Sequence, residues 1–248
     1  MLLRARTATA MAFRDQQRRP LVLILLVIVP AYVITRSIAE TLPTARQIGL
    51  PGGAVVTTTM RDLHGAGMGG LVVAFVVALV GVFVMQSALD GDRRLVLAGF
   101  RPGETVIARL LVLISATVLV VTVAAIVTAL NFTAASWLPM IAALALIGLI
   151  YGAIGALAGA VLDKLAATYL ILFLVMTDLG VVQSPMFHTT PGRLAVLLPG
   201  YGPSRMLYAG AFSHSFNAWG ELLLSLGWLA ALSIGVYLVL RRAVRVGG

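Results

Sequence analysis

The sequence predicts an all-α membrane protein with six transmembrane helices, and three observations support this prediction. Of the 248 residues, 60% are hydrophobic and only 11% are charged, whereas a soluble domain carries about 25% charged residues. Several apolar runs approach or exceed the ~20 residues that cross ~30 Å of hydrocarbon. Nearly every charged residue lies between these runs. A chain in lipid must satisfy its backbone hydrogen bonds internally, so we expect the spans to be helical.

Six apolar runs are long enough to cross a membrane, and we number them as spans one to six. They are Pro20–Ala39, Gly67–Leu89, Val106–Leu130, Trp137–Leu162, Leu165–Val182 and Ala218–Leu240. We expect one membrane domain over residues 1–248, without a separate soluble domain. Span four carries two G-x-x-x-G spacings, which allow close helix packing. We favour packing within one chain over a dimer seam.

The distribution of basic residues predicts the orientation of the spans. Of the 18 Lys and Arg residues, 13 lie in four connections or termini: residues 1–19, 89–109, 162–167 and 241–248. The positive-inside rule therefore places both termini and the 89–109 loop in the cytoplasm. Arg18-Arg19 before an apolar run also resembles a twin-arginine signal peptide; we expect a retained first helix. Arg outnumbers Lys 17 to 1, which is typical of a high-GC bacterial genome, and we expect the chain to lie in the bacterial inner membrane.

The sequence also limits the chemistry of the chain. It has no G-x-x-x-x-G-K-[ST] phosphate loop, so it lacks that route to ATP hydrolysis. It has no cysteine and no histidine spacing typical of a zinc site, so we expect no metal and no catalytic residues. The net charge of +9 comes from arginines that flank the spans. Contact with anionic lipid explains this charge better than nucleic-acid binding does.

Three polar residues in the spans are candidates for a substrate pathway. They are Gln86, Asp178 and Glu221. Charged residues within a membrane are functional candidates by default. Asp178 could relay protons, hold a substrate, cap a short helix or pair with Arg36, and the sequence leaves these alternatives open.

Two connections are unusual. Leu89–Arg109 holds seven charged residues and a possible helical turn at Leu95–Ala98, so it could contact a soluble partner or be a solvated loop. Residues 183–217 contain four prolines and two apolar patches, Leu194–Leu198 and Met206–Phe212, that are too short to span. We interpret these patches as outer re-entrant helices shielded by protein. The connection Glu40–Ala66 is predicted to be irregular.

The order of these elements resembles the membrane permease subunits of ABC-2 type exporters, in particular short bacterial drug-efflux permeases. The resemblance covers nearly the whole chain. Asp90-Gly91-Asp92 followed by a Leu-rich turn stands where that family has its coupling helix, although Phe100 replaces a common proline. Leu198-Pro199-Gly200-Tyr201-Gly202-Pro203 resembles the family's Leu-Pro-x-x-x-Pro stretch before its second re-entrant helix.

The resemblance implies a cytoplasmic elbow at residues 1–19, a coupling loop at 89–109 and an outer re-entrant segment at 183–217. It implies an exporter whose separate ATPase subunit binds ATP and Mg²⁺, with a second permease completing the pathway as a homodimer or heterodimer. The implied ATPase-docking residues are Asp90, Asp92, Arg93, Arg94, Leu95, Leu97, Phe100 and Arg101. The apolar spans favour a hydrophobic or amphiphilic substrate such as a drug, antibiotic or lipid-like molecule. A proton-coupled carrier using Asp178 and a membrane scaffold are the alternatives.

Overall fold

A computed structural model describes the backbone of residues 20–97 and 102–245 and the side chains of residues 26–87 and 109–242. This part of the chain is mostly helical, with one small antiparallel hairpin. The helices are α1 (Pro20–Glu40), α2 (Met60–Leu97), α3 (Pro102–Asn131), α4 (Trp137–Val161), α5 (Lys164–Val175, extended by a π-helical turn, Met176–Val182), α6 (Tyr201–Phe212) and α7 (Trp219–Arg245). The strands are β1 (Ala45–Gly49) and β2 (Val55–Thr59), and short 3₁₀ turns cover Pro51–Gly53 and Arg193–Leu197.

Five of the described helical segments are long and apolar enough to cross a membrane. They are Met60–Ser87, Arg109–Asn131, Trp137–Val161, Lys164–Val182 and Trp219–Arg242. The predicted all-α, multi-pass membrane protein is therefore confirmed at this level. Helix α1 has 21 residues and coincides with predicted span one. The six-span count and the orientation of the spans remain predictions.

Helix α2 is longer than predicted span two at both ends. It begins at Met60, where Thr59 and Asp62 form a reciprocal cap: the Asp62 N–H donates to Thr59 Oγ1 at 3.1 Å and the hydroxyl donates to Asp62 Oδ2 at 2.7 Å. At the other end the helix runs to Leu97. The predicted turn at Leu95–Ala98 is thus, up to Leu97, a continuation of α2. Helix α3 starts at Pro102, a residue suited to the first position of a helix.

The expectation of an irregular Glu40–Ala66 connection is wrong. Strands β1 and β2 pair with Ala45 opposite Thr59 and Gly49 opposite Val55. Gly52 and Gly53 adopt φ angles of 81° and 83°, which only glycine reaches without strain. The β-branched run Val55–Thr59 favours an extended conformation. We call the end of the bundle that carries this hairpin and the connections 132–136 and 183–218 the hairpin end.

Helices α2 and α4 pack most closely in the core, and the glycines of span four make this possible. A Cβ at Gly155 would overlap the carbonyl group of Ala78, and one at Gly159 would lie 2.7 Å from the carbonyl oxygen of Val82. A Cβ at Gly152 would instead meet side chains, those of Val77 in α2 and Leu113 in α3. The G-x-x-x-G stripe is therefore occupied by packing within the chain, as favoured from the sequence.

The connection 183–217 contains two short helical elements, as predicted, but this chain shields only one of them. Helix α6 has 12 residues, nine of them buried, and packs against α4 and α7. At 1.5 Å per residue it is about 18 Å long, too short to cross a membrane. In the 3₁₀ turn Arg193–Leu197, by contrast, Leu194 is 79% exposed and Leu197 is 69% exposed. Residues of this chain therefore leave most of the first patch uncovered, and its shielding by protein remains a prediction.

Candidate functional site

Asp178 is the only acidic residue buried in the described part of the chain, and it lies in the π-helical turn Met176–Val182. The turn closes when the N–H of Gln183 donates to the Asp178 carbonyl oxygen at 2.8 Å, a span of five residues. Such turns are rare and frequently occur at functional sites. The side chain points into the protein, and the residue is 3% exposed.

Three donors from three different parts of the chain surround the Asp178 carboxylate. Tyr151 Oη of α4 donates to Oδ2 at 2.6 Å, and the backbone N–H of Gly200 donates to the same oxygen at 2.9 Å. Gln183 Nε2 donates to Oδ1 at 3.1 Å. Among the side chains that the structure describes, no cation forms an ion pair with Asp178. Neutral donors therefore compensate the carboxylate, which is how a polar group avoids the cost of burial.

Gln183 links this cluster to the next connection. Its Nε2 group also donates to the Ala195 carbonyl oxygen at 3.0 Å, which uses both amide hydrogens. The side chain thereby ties the 3₁₀ turn Arg193–Leu197 to the end of span five. Its Oε1 atom is buried and has no hydrogen-bond partner among the described residues.

Position 200 requires a glycine because the side chains of Tyr151 and Asp178 approach its backbone closely. An ideal Cβ at this position would lie 2.7 Å from Tyr151 Oη and 2.8 Å from Asp178 Oδ2. Both distances are shorter than a carbon–oxygen contact allows. The absence of a side chain lets the backbone N–H that precedes α6 reach the carboxylate. We name Asp178, Tyr151, Gln183 and Gly200 the carboxylate cluster.

The far end of α6 is held as well. The N–H groups of Ala135 and Ser136, in the connection between α3 and α4, donate to the carbonyl oxygens of Ala211 and Gly210 at 2.9 and 2.8 Å. These carbonyls lie in the last turn of α6 and have no partner within that helix. The carboxylate cluster and the 132–136 connection therefore fix both ends of a short buried helix.

The other two pathway candidates do not join Asp178 in one site. Gln86 is half-buried and donates from Nε2 to the Leu162 carbonyl oxygen at 3.4 Å, where α4 ends. Leu162 is 11 residues from Tyr151 along the chain, about 16 Å in a helix. Glu221 lies in the first turn of α7. Its backbone packs closely against Gly202 of α6, where an added Cβ would lie 2.5 Å from the Glu221 carbonyl oxygen.

The suggested pairing of Asp178 with Arg36 is wrong. The Arg36 guanidinium donates to the carboxylate of Glu40, one turn along α1. Both side chains are more than half exposed, so the pair lies at the surface. This arrangement leaves Asp178 with the neutral donors described above.

The predicted ATPase-docking residues cannot be compared with the structure in side-chain detail. The backbone of Asp90–Leu97 continues α2, but the side chains of these residues lie outside the described part. Phe100 and Arg101 lie outside it entirely. These residues remain predictions.

Sequence reasoning identified Asp178 but missed its partners. Tyr151 lies in an apolar, glycine-rich span, where it looks like an ordinary core aromatic. Gln183 follows the end of span five and was treated as the start of a loop. Gly200 was recognised only as part of the Leu-Pro-x-x-x-Pro resemblance. The available signal was the combination of a buried carboxylate with a proline- and glycine-rich connection that must return to it.

No protein-family model matches the chain. A search of curated proteins also finds no match.

Proposed function

We propose that this chain is the permease subunit of an ATP-driven ABC-2 type exporter that moves a hydrophobic or amphiphilic molecule out of a bacterial cell. A separate ATPase subunit supplies the energy, and a second permease completes the pathway. The observation that carries the proposal is the short, buried helix α6 before the last membrane helix. The resemblance implies a re-entrant helix at this place in the chain.

The length of α2 supports a mechanical link to an ATPase. Its 38 residues make it about 57 Å long, well beyond the ~30 Å of a hydrocarbon core. The helix carries the proposed docking residues Asp90–Leu97 and continues without a break into the core. There it packs against α1, α3, α4 and α5. A partner that moves the end of α2 would therefore move the bundle as rigid bodies.

The polar residues of the spans favour a pathway formed by apolar surfaces. Both carboxylate oxygens of Asp178 accept hydrogen bonds from the chain itself, and Gln86 Nε2 donates to the Leu162 carbonyl oxygen. Helices α5 and α7 expose large apolar side chains, among them Phe173 and Leu223. These surfaces suit lipid, a second permease or an apolar substrate. We infer that Asp178 positions α6 and does not contact the substrate.

Affinity capture in mild detergent tests the ATPase partnership. The full-length protein is purified from its native host, and its partners are identified and counted. We expect a Walker-motif ATPase with the unaltered protein and with the control R241E/R242E, which changes two exposed arginines at the end of α7. We expect its loss with R93E/R94E/L97A. Failure to recover any ATPase with the unaltered protein would exclude ATP-driven export.

The buried carboxylate keeps a proton-coupled carrier as the second candidate. In a carrier, D178N abolishes transport while ATPase depletion does not, and the folded amount of protein in the membrane stays unchanged. In the exporter, ATPase depletion abolishes transport, and D178N lowers it only as far as it lowers folding. A scaffold without a pathway would show no transport in either condition.

A further inference from the structure

A cleft at the hairpin end is separate from the carboxylate cluster except for one shared residue. It lies between β1, the segment 182–191 and α6, and has an empty volume of about 300 Å³, including the part open to solvent. Its floor is buried and partly polar, formed by Gln183, Ser184, Pro185 and Tyr208. Its rim, with His188 and Thr189, is exposed. The cleft is therefore open to the aqueous side of the hairpin end.

Arg205 of α6 lines this cleft, and one edge of its guanidinium group has no hydrogen-bond partner among the described residues. Nη1 donates to the carbonyl oxygen of Gly49, which holds the hairpin against α6. The Nε atom is buried and has no hydrogen-bond partner in the described part of the chain. Nε and Nη2 form the fork with which arginine binds two oxygens of one carboxylate or phosphate. That fork has no protein acceptor among the described residues.

A second arginine, Arg46, lies beside the cleft on β1 without lining it, and its guanidinium group is bonded through Nη2 instead of Nη1. Arg46 of β1 donates from Nη2 to the Met186 carbonyl oxygen at 2.8 Å, and its Nε is likewise buried without a partner within the described residues. Neither Arg46 nor Arg205 forms an ion pair with a described carboxylate. Partly buried cations without a counterion are costly. The two arginines therefore favour an anion at this place.

The remaining polar atoms narrow the class of anion. Gln183 Oε1 is an acceptor without a partner among the described residues, because the Gln183 amide hydrogens go to Asp178 and Ala195. A ligand that completes the site must accept from arginine and also donate a hydrogen. A carboxylate only accepts. A protonated phosphate, or a phosphodiester beside a headgroup hydroxyl, does both.

We propose that this cleft binds a phosphate group, with Arg205 as its principal ligand and Arg46 as a second source of positive charge. The group comes from inorganic phosphate or from a phospholipid headgroup with a free hydroxyl. The apolar residues Val181 and Phe187 are 47% and 59% exposed beside the cleft, which suits a lipid interface. The proposal of a phosphate site does not depend on the exporter proposal, because the residues that form the site do not bear on which energy source drives transport.

Two titrations with the full-length protein test the proposal and separate the sources. In detergent, inorganic phosphate is compared with chloride at equal ionic strength. In nanodiscs, phosphatidylcholine alone is compared with phosphatidylcholine mixed with phosphatidylglycerol. The readout is the thermal unfolding midpoint. R193Q is the matched control, because Arg193 is an exposed arginine of the same connection without a buried contact.

We expect phosphate, phosphatidylglycerol or both to stabilise the unaltered protein and R193Q beyond their comparison conditions. R205Q should weaken the apparent affinity about tenfold or more, the effect of removing one charged hydrogen-bonding partner. Stabilisation by inorganic phosphate identifies the free ion as a ligand, and stabilisation by phosphatidylglycerol alone identifies the headgroup.

The proposal is overturned if neither ligand stabilises beyond its comparison, or if R205Q and R193Q respond alike. If R205Q does not fold, R205K and R46Q replace it in the same titrations. R205K keeps a positive charge at position 205, and R46Q leaves Arg205 in place. Undiminished affinity in R205K and R46Q together would likewise overturn the assignment.

Discussion

The N–H of Gly200 donates to the carboxylate of Asp178 at 2.9 Å, which joins the start of α6 to the π-helical turn that ends span five. The two residues are 22 positions apart, and the connection between them contains three prolines and an exposed 3₁₀ turn. A single buried carboxylate thus closes a long irregular segment back onto the membrane helix that precedes it.

Replacing Asp178 with asparagine tests this role. The Asn amide has one acceptor oxygen and an NH₂ group that would face a donor, so at least one hydrogen bond is lost. We expect D178N to lower the free energy of unfolding by about 1–3 kcal/mol. The measurement is thermal or chemical unfolding in detergent. E221Q, at a partly exposed carboxylate, should stay within about 0.5 kcal/mol of the unaltered protein. Equal effects of the two changes would refute the assigned role.

Tyr151 supplies the shortest hydrogen bond of the carboxylate cluster. Y151F keeps the ring and removes only the hydroxyl, so we expect a loss of about 1–2 kcal/mol in the free energy of unfolding. In a double-mutant cycle with D178N, the coupling energy should be about 0.5–3 kcal/mol because the two groups touch. Y237F, at a tyrosine that is 48% exposed on α7, is the control. Additive effects of Y151F and D178N would show that the bond does not contribute.

The packing of α2 against α4 predicts opposite outcomes for two glycines. G155A would place a methyl group against the Ala78 carbonyl group, which is backbone and cannot move aside. We expect G155A to cost at least about 1–3 kcal/mol, as overpacking does. Nothing lies within 4 Å of a Cβ at Gly227 in α7. G227A should therefore be neutral or stabilise by up to about 1 kcal/mol. The folded fraction recovered from membranes and the unfolding midpoint distinguish them, and the reverse order would contradict the packing.

Helix α6 should be far better protected from hydrogen exchange than its length suggests. Isolated helices of this size are marginal in water. Burial and the bonds at both ends should nevertheless protect the amides of Tyr201–Phe212 well above those of Arg193–Leu197. Hydrogen–deuterium exchange with mass spectrometry measures both segments in one experiment. D178N should reduce the protection of the first turns of α6 more than that of the last turn, which Ala135 and Ser136 hold.

The membrane helices could be predicted from the sequence because hydropathy and charge mark them directly. Predicted span four, Trp137–Leu162, ends within one residue of α4. The same criterion failed at the start of α2, because Arg61, Asp62 and His64 are polar yet helical. A helix can begin with polar residues when a cap satisfies its first N–H groups. The Thr59–Asp62 cap was the readable signal there.

The hairpin was missed for a related reason. The prediction of an irregular connection at Glu40–Ala66 did not allow for Pro51-Gly52-Gly53, which supplies the glycines at positive φ that a turn between two strands requires. The flanking residues Gln47–Gly49 and Val55–Thr57 are too few to show a clear alternation. Only the pairing of the two strands makes this stretch regular, and pairing is not visible in a short segment.

The carboxylate cluster lay partly beyond prediction because its members are brought together by tertiary structure. Asp178 was identified because a charge in an apolar span is conspicuous. The 26 residues between Tyr151 and Asp178 contain a helix end, a tight turn and a new helix. Periodicity within one helix therefore carries no information on their contact.

Helix α6 is attached to each of the connections at its end of the bundle. Asp178 joins it to span five, Ala135 and Ser136 join it to the link between α3 and α4, and Arg205 joins it to the hairpin between α1 and α2. These connections are therefore held together as one unit through α6. A side chain that swings aside cannot open a passage there. Opening requires α6 to be displaced as a whole, with several hydrogen bonds broken in a single concerted event.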